Sequence, residues 1–478
     1  MATKTEKKLR PTGKKSVALW KVLACDGVSE EGLAVLRKDP AVEVVISPAL
    51  SEGELCEKLP GYQALIVRSA TKVTAKALAA ATDLKIIARA GVGVDNVDIP
   101  AATQRGIVVC NSPGGNTMAA TEHTWALILA LARNLPAADA SLKKGEWKRS
   151  QFVGVELYGK TLGVIGLGKI GSEVARRGLA FGMKILANDP FVSPENAQKL
   201  GVALAEIPEI VAQADFLTLH MPLNKDTQNL IDAKMLKLAK PELRLINCSR
   251  GGIVEEAALA EALQKGQIAG AACDVFSKEP PEGSSLLGAP KIILTPHLGA
   301  STQEAQVKVA VDVAEQVLEV LHNRPARSAV NVSGIAPELL AVLAPYLDLA
   351  EKTGRLHSQL LEGQIVEAEL TFSGELTERD TSPLTTAFLQ GLLSRIREEP
   401  VNMVNARFLA EAAGLKVKEI TTSAAGEYAS LLSAKVSTEK ESRTIAGTLF
   451  GKKEGRIVSF DDYPVDFEIG RASCRERV

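Results

Sequence analysis

The sequence predicts an α/β chain: two Rossmann-like parallel-sheet lobes in succession, followed by a smaller α+β domain. Three observations carry that prediction. From Val17 onward, short β-rich runs alternate with helix-length amphipathic segments, the pattern of βαβ units. Residues 323–337 then hold Arg, Ser, Asn, Gly and two prolines, which reads as a linker. The 478 residues, at roughly 150 per domain, leave room for about three domains.

Five runs of the first lobe, at 17–26, 42–47, 64–69, 85–90 and 107–112, read as short buried strands. Thr117–Arg133 is a longer, mostly apolar helix. Six more strand-like runs follow, at 161–166, 184–189, 215–220, 244–249, 271–276 and 292–297. Ser301 and Glu304 have the spacing of a capping box and open a helix to about His322. Beyond the linker, a helix at 337–361 precedes strands at 366–372, 415–420, 444–450 and 456–460, with helices at 384–397 and 405–413. The expected division is 16–115 for the first lobe, completed by 298–330, then 116–297 and 336–468. Residues 469–478, IGRASCRERV, break the pattern abruptly and read as a non-native tail.

Composition narrows the function classes. With 56 Lys plus Arg against 57 Asp plus Glu and a net charge of −1, nothing attracts nucleic acid or an anionic membrane in bulk. The longest apolar run, 125–132, falls well short of the ~20 residues of a spanning helix. Six scattered cysteines and five scattered histidines form no zinc spacing and no disulfide framework. No metal is expected, and the Lys-rich segment 1–15 lacks the apolar core of a signal peptide. The cytoplasm is the expected compartment.

The cofactor signal is Gly166-Leu-Gly168-Lys-Ile-Gly171, between a strand and a helix. Gly166 suits the tight turn, Gly168 lets a pyrophosphate approach the backbone, and Gly171 allows close helix–strand packing. Asp189 ends the next strand, 23 residues after Gly166, where a carboxylate can hold ribose hydroxyls and repel a 2′-phosphate. NAD is therefore expected over NADP. Asp189 could alternatively serve only to start the Asp-Pro turn.

Three more clusters sit at strand ends of the same lobe: NCSRGGIV with Arg250, CDVFSKEPP with Asp274 and Glu279, and TPHLGAS with His297. Singly, each has an ordinary structural explanation. Together they describe one reaction. A histidine exchanges a proton with a substrate hydroxyl, a glutamate stabilises its imidazolium, and an arginine fork grips a carboxylate. Beside a nicotinamide, that set transfers hydride to and from a 2-hydroxy or 2-keto acid.

The motifs LIVRSATKVT, ARAGVGVDNVD, GKTLGVIGLGKIG, NCSRGGIVEE, DVFSKEPP and PHLGAST resemble those of the D-isomer-specific 2-hydroxyacid dehydrogenases, from Val22 to about His322. The resemblance gives Arg250, Glu279 and His297 the roles of a catalytic triad. It implies cofactor contacts at Val92, Lys169, Ile170, Asp189, Met221, Cys248, Ser249, Arg250, Asp274, His297, Leu298, Gly299 and Ala300. Met221 stands where a threonine is often found. The resemblance also implies that the first lobe is split around the nucleotide lobe, with a hinge between them.

Residues 337–467 resemble the intervening domain of long-form family members that oxidise 3-phosphoglycerate to 3-phosphohydroxypyruvate, the entry step to serine. The expected substrate is thus 3-phosphoglycerate. Arg68 and Arg89, each after a first-lobe strand, are candidates for its phosphate, and Gly93 in AGVGVDN can offer backbone to its carboxylate. Arg149 is expected to contribute from a second subunit of a homodimer or homotetramer, with Trp147 at the contact or in the core. Lys435 and Arg443 are candidate anion contacts or plain surface charges. In long-form members a serine-binding regulatory domain follows, and this chain stops before it. Two other readings stay open: a glycerate or hydroxypyruvate reductase, and an NAD-sensing corepressor-like binding protein.

Overall fold

The computed structural model describes residues 19–332, 337–397, 400–451 and 453–469. The lead-in 1–15 and the tail from Gly470 onward lie outside the described residues. The chain divides into two compact units, one of residues 1–113 with 310–478 and the other of residues 114–309.

The first unit begins with an all-parallel sheet of β1 (Trp20–Ala24), β2 (Val42–Ile46), β3 (Ala64–Val67), β4 (Ile86–Arg89) and β5 (Val108–Cys110). Their order is β2-β1-β3-β4-β5. β3 is buried at all four positions, as expected of a parallel strand covered on both faces. The C-terminal part of the helix Gln303–Leu321 packs on this sheet's first helix, Glu30–Arg37. There a Cβ on Gly32 would stand 2.7 Å from the Ala310 Cβ, so only glycine lets the helices approach so closely. His322 Nε2 also bonds Asp39 Oδ2 at 2.6 Å. The start of Gln303–Leu321 differs from the expected box: the Thr302 hydroxyl, not Ser301, accepts the Ala305 N–H at 3.2 Å. The helix starts one residue later, so Thr302 has the reach of the cap.

The second unit holds seven parallel strands. They are β6 (Thr161–Ile165), β7 (Lys184–Asn188), β8 (Ala203–Leu204), β9 (Phe216–Leu219), β10 (Arg244–Asn247), β11 (Gly270–Cys273) and β12 (Ile292–Leu294). The order β12-β11-β10-β9-β6-β7-β8 reverses direction at β6, flanked by β7 and β9. Ligands of such sheets bind at the carboxyl ends of the strands beside that reversal. Two apolar layers hold the sheet. One is built around Ile210, Leu217, Leu245 and Leu259, the other around Ile128, Val164, Val174 and Phe216.

The rest of the first unit carries a third, mixed sheet of six strands. These are β13 (Ile365–Gly374), β14 (Lys416–Thr422), β15 (Ser430–Thr438), β16 (Ser442–Phe450), β17 (Glu454–Phe460) and β18 (Tyr463–Glu468). Only the β13–β14 pair is parallel. Helices Pro337–Leu360 and Ser382–Leu393 cover one face, with Phe372 and Phe388 fully buried. Ile469, the first residue of the segment read as a tail, is 3% exposed and packs with Leu349, Ile445 and Ile457. This region meets the turn before β5 through Asn402, whose Nδ2 donates to the Gly106 carbonyl at 2.8 Å. A Cβ on Gly106 would meet that amide at 2.5 Å, and Gly106 has φ +70°, so the contact and the turn both require glycine.

Candidate active site

The glycine turn follows β6. Gly166 has φ +94°, and a Cβ there would lie 2.4 Å from the His220 carbonyl oxygen and 3.3 Å from the Met221 nitrogen. A Cβ on Gly171 would lie 1.9 Å from the Gly166 carbonyl oxygen. Both glycines are thus demanded by the protein's own packing. Gly168 is different: a Cβ there would meet nothing within 4 Å. Its surroundings are open, as close approach of a pyrophosphate requires. Gly168 also precedes the helix Lys169–Ala180, and no side chain caps that end. The amides of Lys169 and Ile170 therefore face outward with the positive end of the helix dipole.

Asp189 lies just beyond β7. Its Oδ2 accepts the Leu167 N–H at 2.8 Å, and its Oδ1 accepts the Phe191 N–H at 2.9 Å. The carboxylate therefore braces the glycine turn and starts the Asp-Pro turn, and each oxygen keeps a second lone pair for a ribose hydroxyl. These features fit a dinucleotide, with Gly168, Lys169, Ile170 and Asp189 as the residues that would hold it.

The catalytic candidates emerge from neighbouring strand ends. Asn247, the last residue of β10, accepts the Ser249 N–H at 3.1 Å and donates to the Arg250 carbonyl at 2.9 Å, shaping the loop of Arg250. Arg250 Nη1 donates to the Ser249 carbonyl at 2.8 Å. The next residue, Gly251, abuts the Glu279 loop: a Cβ would stand 1.9 Å from the Phe276 carbonyl oxygen. On that loop Glu279 Oε1 accepts the Phe276 N–H at 3.2 Å. Burial pushes the Cys248 thiol up, which keeps it protonated and a poor nucleophile.

His297 follows β12, and its Nδ1 lies 2.8 Å from Glu279 Oε2. With the proton on Nδ1 donated to the carboxylate, Nε2 is left to exchange a proton with a substrate. The hydrogen bond to Glu279, opposed by desolvation and aided by the carboxylate's charge, raises the His297 pKa above the ordinary imidazole value. Desolvation of Glu279 pulls upward, but the bond and charge of His297 outweigh it and hold the carboxyl below its usual range. Both partners thus favour the ion pair.

His297 has φ +55°, a left-handed conformation that costs a side-chain-bearing residue about 1 kcal/mol. Asp274 supplies the compensation. Its main-chain carbonyl accepts the His297 N–H at 2.8 Å, and its carboxylate accepts Leu298 N–H at 2.7 Å and Gly299 N–H at 2.8 Å. Bonds to a charged acceptor contribute about 1.5–3 kcal/mol each, so the turn is held despite its strain. Asp274 is wholly buried, and the geometry gives it this anchoring task. Leu298 is 40% exposed, while Ala300 is half-buried.

Sequence reading missed Glu256, whose Oε1 accepts the Ser277 N–H at 2.7 Å and whose Oε2 accepts the Ser284 hydroxyl. It ties down the loop that carries Glu279. Its place as the last residue of the NCSRGGIVEE motif was the available signal.

The remaining candidates lie elsewhere. Arg68 and Arg89 stand at the carboxyl ends of β3 and β4 in the first unit. The Arg68 N–H donates to Asp26 at 2.8 Å, and its carbonyl accepts from Asn96 at 2.9 Å, so its backbone is fixed. The Arg89 guanidinium lies over Gly91, whose Cβ would fall 1.6 Å from Nη1. Val92 accepts from Asn111 Nδ2, and Gly93 is half-buried. Arg149 is exposed in the short helix Arg149–Phe152 of the second unit. Arg443 bonds Glu441 at 3.0 Å and Asp461 at 2.8 Å.

The NAD binding domain of the D-isomer specific 2-hydroxyacid dehydrogenases matches residues 125–299, and the D-3-phosphoglycerate dehydrogenase intervening domain matches residues 342–461. The chain is 48% identical to D-3-phosphoglycerate dehydrogenase of Synechocystis, over 95% of this chain and 81% of that protein. It is 45% identical to the enzyme of the same name from Archaeoglobus fulgidus, over 94% and 85%. Among solved structures, the TT0316 protein of Thermus thermophilus aligns with a TM-score of 0.60 at 34% identity, over 65% of this chain and 99% of that one. The D-lactate dehydrogenase of Aquifex aeolicus, complexed with NAD and lactic acid, aligns at 0.56 and 29% identity, over 63% and 96%. The chain belongs to the D-isomer specific 2-hydroxyacid dehydrogenases, within their D-3-phosphoglycerate dehydrogenase branch.

Proposed function

We propose that this protein oxidises 3-phosphoglycerate to 3-phosphohydroxypyruvate with NAD. The observation that carries the chemistry is the 2.8 Å bond between His297 Nδ1 and Glu279, on a strand-end turn of the domain that bears the glycine loop. The substrate assignment is supported by the similarity to D-3-phosphoglycerate dehydrogenases over 95% of the chain.

Gly168, Lys169, Ile170 and Asp189 would hold NAD, which would supply the acceptor for the hydride from C2 of the substrate. His297 Nε2 takes the proton of the C2 hydroxyl, and Glu279 stabilises the imidazolium that results. The Arg250 fork holds the substrate carboxylate and the oxygen that becomes the carbonyl. In the reverse direction the imidazolium of His297 returns the proton. Arg68 and Arg89 are the cations we assign to the phosphate, and the backbone of Val92 and Gly93 the donors to the carboxylate. Val92, Met221, Cys248, Ser249, Arg250, Asp274, His297, Leu298, Gly299 and Ala300 complete the cofactor contacts in this reading.

A homodimer or homotetramer is supported by the second unit's surface, where Trp147 and Val153 are each 78% exposed and Leu135 54%. Burying such side chains against a second copy would gain about 25 cal/mol per Å² of apolar surface. Arg149 lies in the same stretch and would reach the partner's substrate. Five described cysteines are free, in keeping with the cytoplasm, and among the described residues no helix is long and apolar enough to cross a membrane.

Initial rates of NADH formation with 3-phosphoglycerate and with glycerate, on wild type and Arg68→Ala, test the proposal. A strong preference for the phosphorylated acid that the substitution erases is expected. Equal rates on both acids would move the protein to the general 2-hydroxyacid reductases. NAD binding without turnover of either would favour a sensor.

A further inference from the structure

His123 belongs to a polar pair, Glu122-His123, inside the apolar helix Thr117–Arg133. Its Nε2 lies 3.2 Å from Asp274 Oδ1 and 3.2 Å from Thr295 Oγ1. The Thr295 hydroxyl in turn donates to Asp274 Oδ1 at 2.6 Å. Donation toward a carboxylate fixes the proton of the His123 ring on Nε2, and the Thr295 oxygen, having given its own proton to Asp274, accepts from the same N–H. The Asp274 side chain is only 1% exposed. A buried carboxylate is costly unless its lone pairs are filled, and here they are filled from two directions. The turn itself supplies the Thr295 hydroxyl and the N–H groups of Leu298 and Gly299. The helix, 151 residues away in sequence, supplies His123.

We infer that His123 is a positioning residue for the dehydrogenation: from its helix it holds the Asp274 carboxylate and the Thr295 hydroxyl, and so fixes the left-handed turn that presents His297 to Glu279. It touches none of the reacting atoms and acts through Asp274. The role rests on the proposed function of His297 as the proton acceptor. Around His297 the charged groups are Glu279, Asp274 and Arg250, and His123 reaches only the second of them. Its loss therefore loosens the turn without removing any charge next to the imidazole.

The test uses the full chain with His123→Leu, His123→Gln and Thr295→Val. The His297 imidazole titration, followed by NMR, needs no turnover and so stays informative if 3-phosphoglycerate is not the substrate. In His123→Leu we expect the His297 midpoint to fall toward the ordinary imidazole value as the Glu279 bond slackens. We also expect kcat on 3-phosphoglycerate to drop about 10- to 100-fold, the range for a misplaced reacting group, with KM for NAD within about twofold. Glutamine, which returns an N–H at similar reach, restores both the midpoint and most of kcat. Thr295→Val, which keeps the shape and removes the hydroxyl, moves the midpoint the same way and reports on the turn should the leucine variant fail to fold. An unmoved His297 midpoint in the folded variants would overturn the inference, as would a glutamine variant no better than leucine. A wild type that shows the raised midpoint and no turnover of 3-phosphoglycerate would instead defeat the substrate assignment and leave the role of His123 standing.

Discussion

His297 and His357 sit in different units and are pushed in opposite directions. His297 is partly exposed on a strand-end turn, and its bond to Glu279 raises its pKa. His357 is fully buried under β15, where Nε2 meets the Ala434 carbonyl at 3.1 Å and the ring stands edge-on to Phe388. Desolvation lowers its pKa from 6.5 to about 4. The difference is the partner. A carboxylate makes the imidazolium worth forming, whereas a carbonyl and an aromatic edge leave the neutral ring preferred. One environment equips a histidine for proton transfer, and the other makes it a filler of the core.

The largest effect expected along this comparison is at the reactive end. His297→Asn should reduce turnover about 10³-fold, within the range for loss of a general acid–base group, in a variant that still binds NADH by fluorescence. A loss under tenfold would assign the proton to another group. Glu279→Gln should cost about 10- to 100-fold in kcat/KM. It should also move the acid limb of the oxidation profile to lower pH, because Glu279 is what raises the pKa of a residue that must be unprotonated to accept the hydroxyl proton. A limb that stayed in place would mean that His297 is not the titrating base.

At the buried end, the unfolded chain binds a proton on His357 near pH 6.5 and the folded chain only near pH 4. The contribution of the neutral ring is therefore complete above pH 6.5 and is lost as pH falls, up to about 3 kcal/mol near pH 4. His357→Gln, which keeps a donor for the Ala434 carbonyl, should flatten the fall of Tm across that window; an equally steep fall would place the titration elsewhere. The smallest effect is expected at Arg443, paired on the surface with Glu441 and Asp461. Arg443→Gln should leave turnover unchanged, since exposed pairs contribute little, and a loss of activity would reopen the anion-contact reading.

Much of this was legible in the sequence because the relevant signals were local. The five strands of the first lobe and six of the second carry apolar runs between helix-length segments, and each emerged where expected. β8 was missed because it is a two-residue edge strand with both positions exposed. β15 lies in the middle of the third sheet, yet its buried face is Ser430, Leu432, Ala434, Val436 and Thr438. Those mostly small or polar side chains hide an alternation that the structure makes regular. β18 contains Pro464 and pairs only with β17, at the sheet edge where proline is tolerated. At the site, the glycine spacing, Arg250, Glu279 and His297 stood out as motifs. Glu256, His123 and the anchoring task of Asp274 did not, because each depends on a partner that only folding brings near.

The contact between Gly251 and the Phe276 carbonyl bears on how this enzyme can be redesigned. The segment that carries Arg250 and the segment that carries Glu279 lean on each other with no side chain between them. Substitutions in 249–252 and in 276–279 will therefore be strongly epistatic. A library that randomises one stretch while freezing the other will sample mostly collisions, so a change of substrate calls for varying both together.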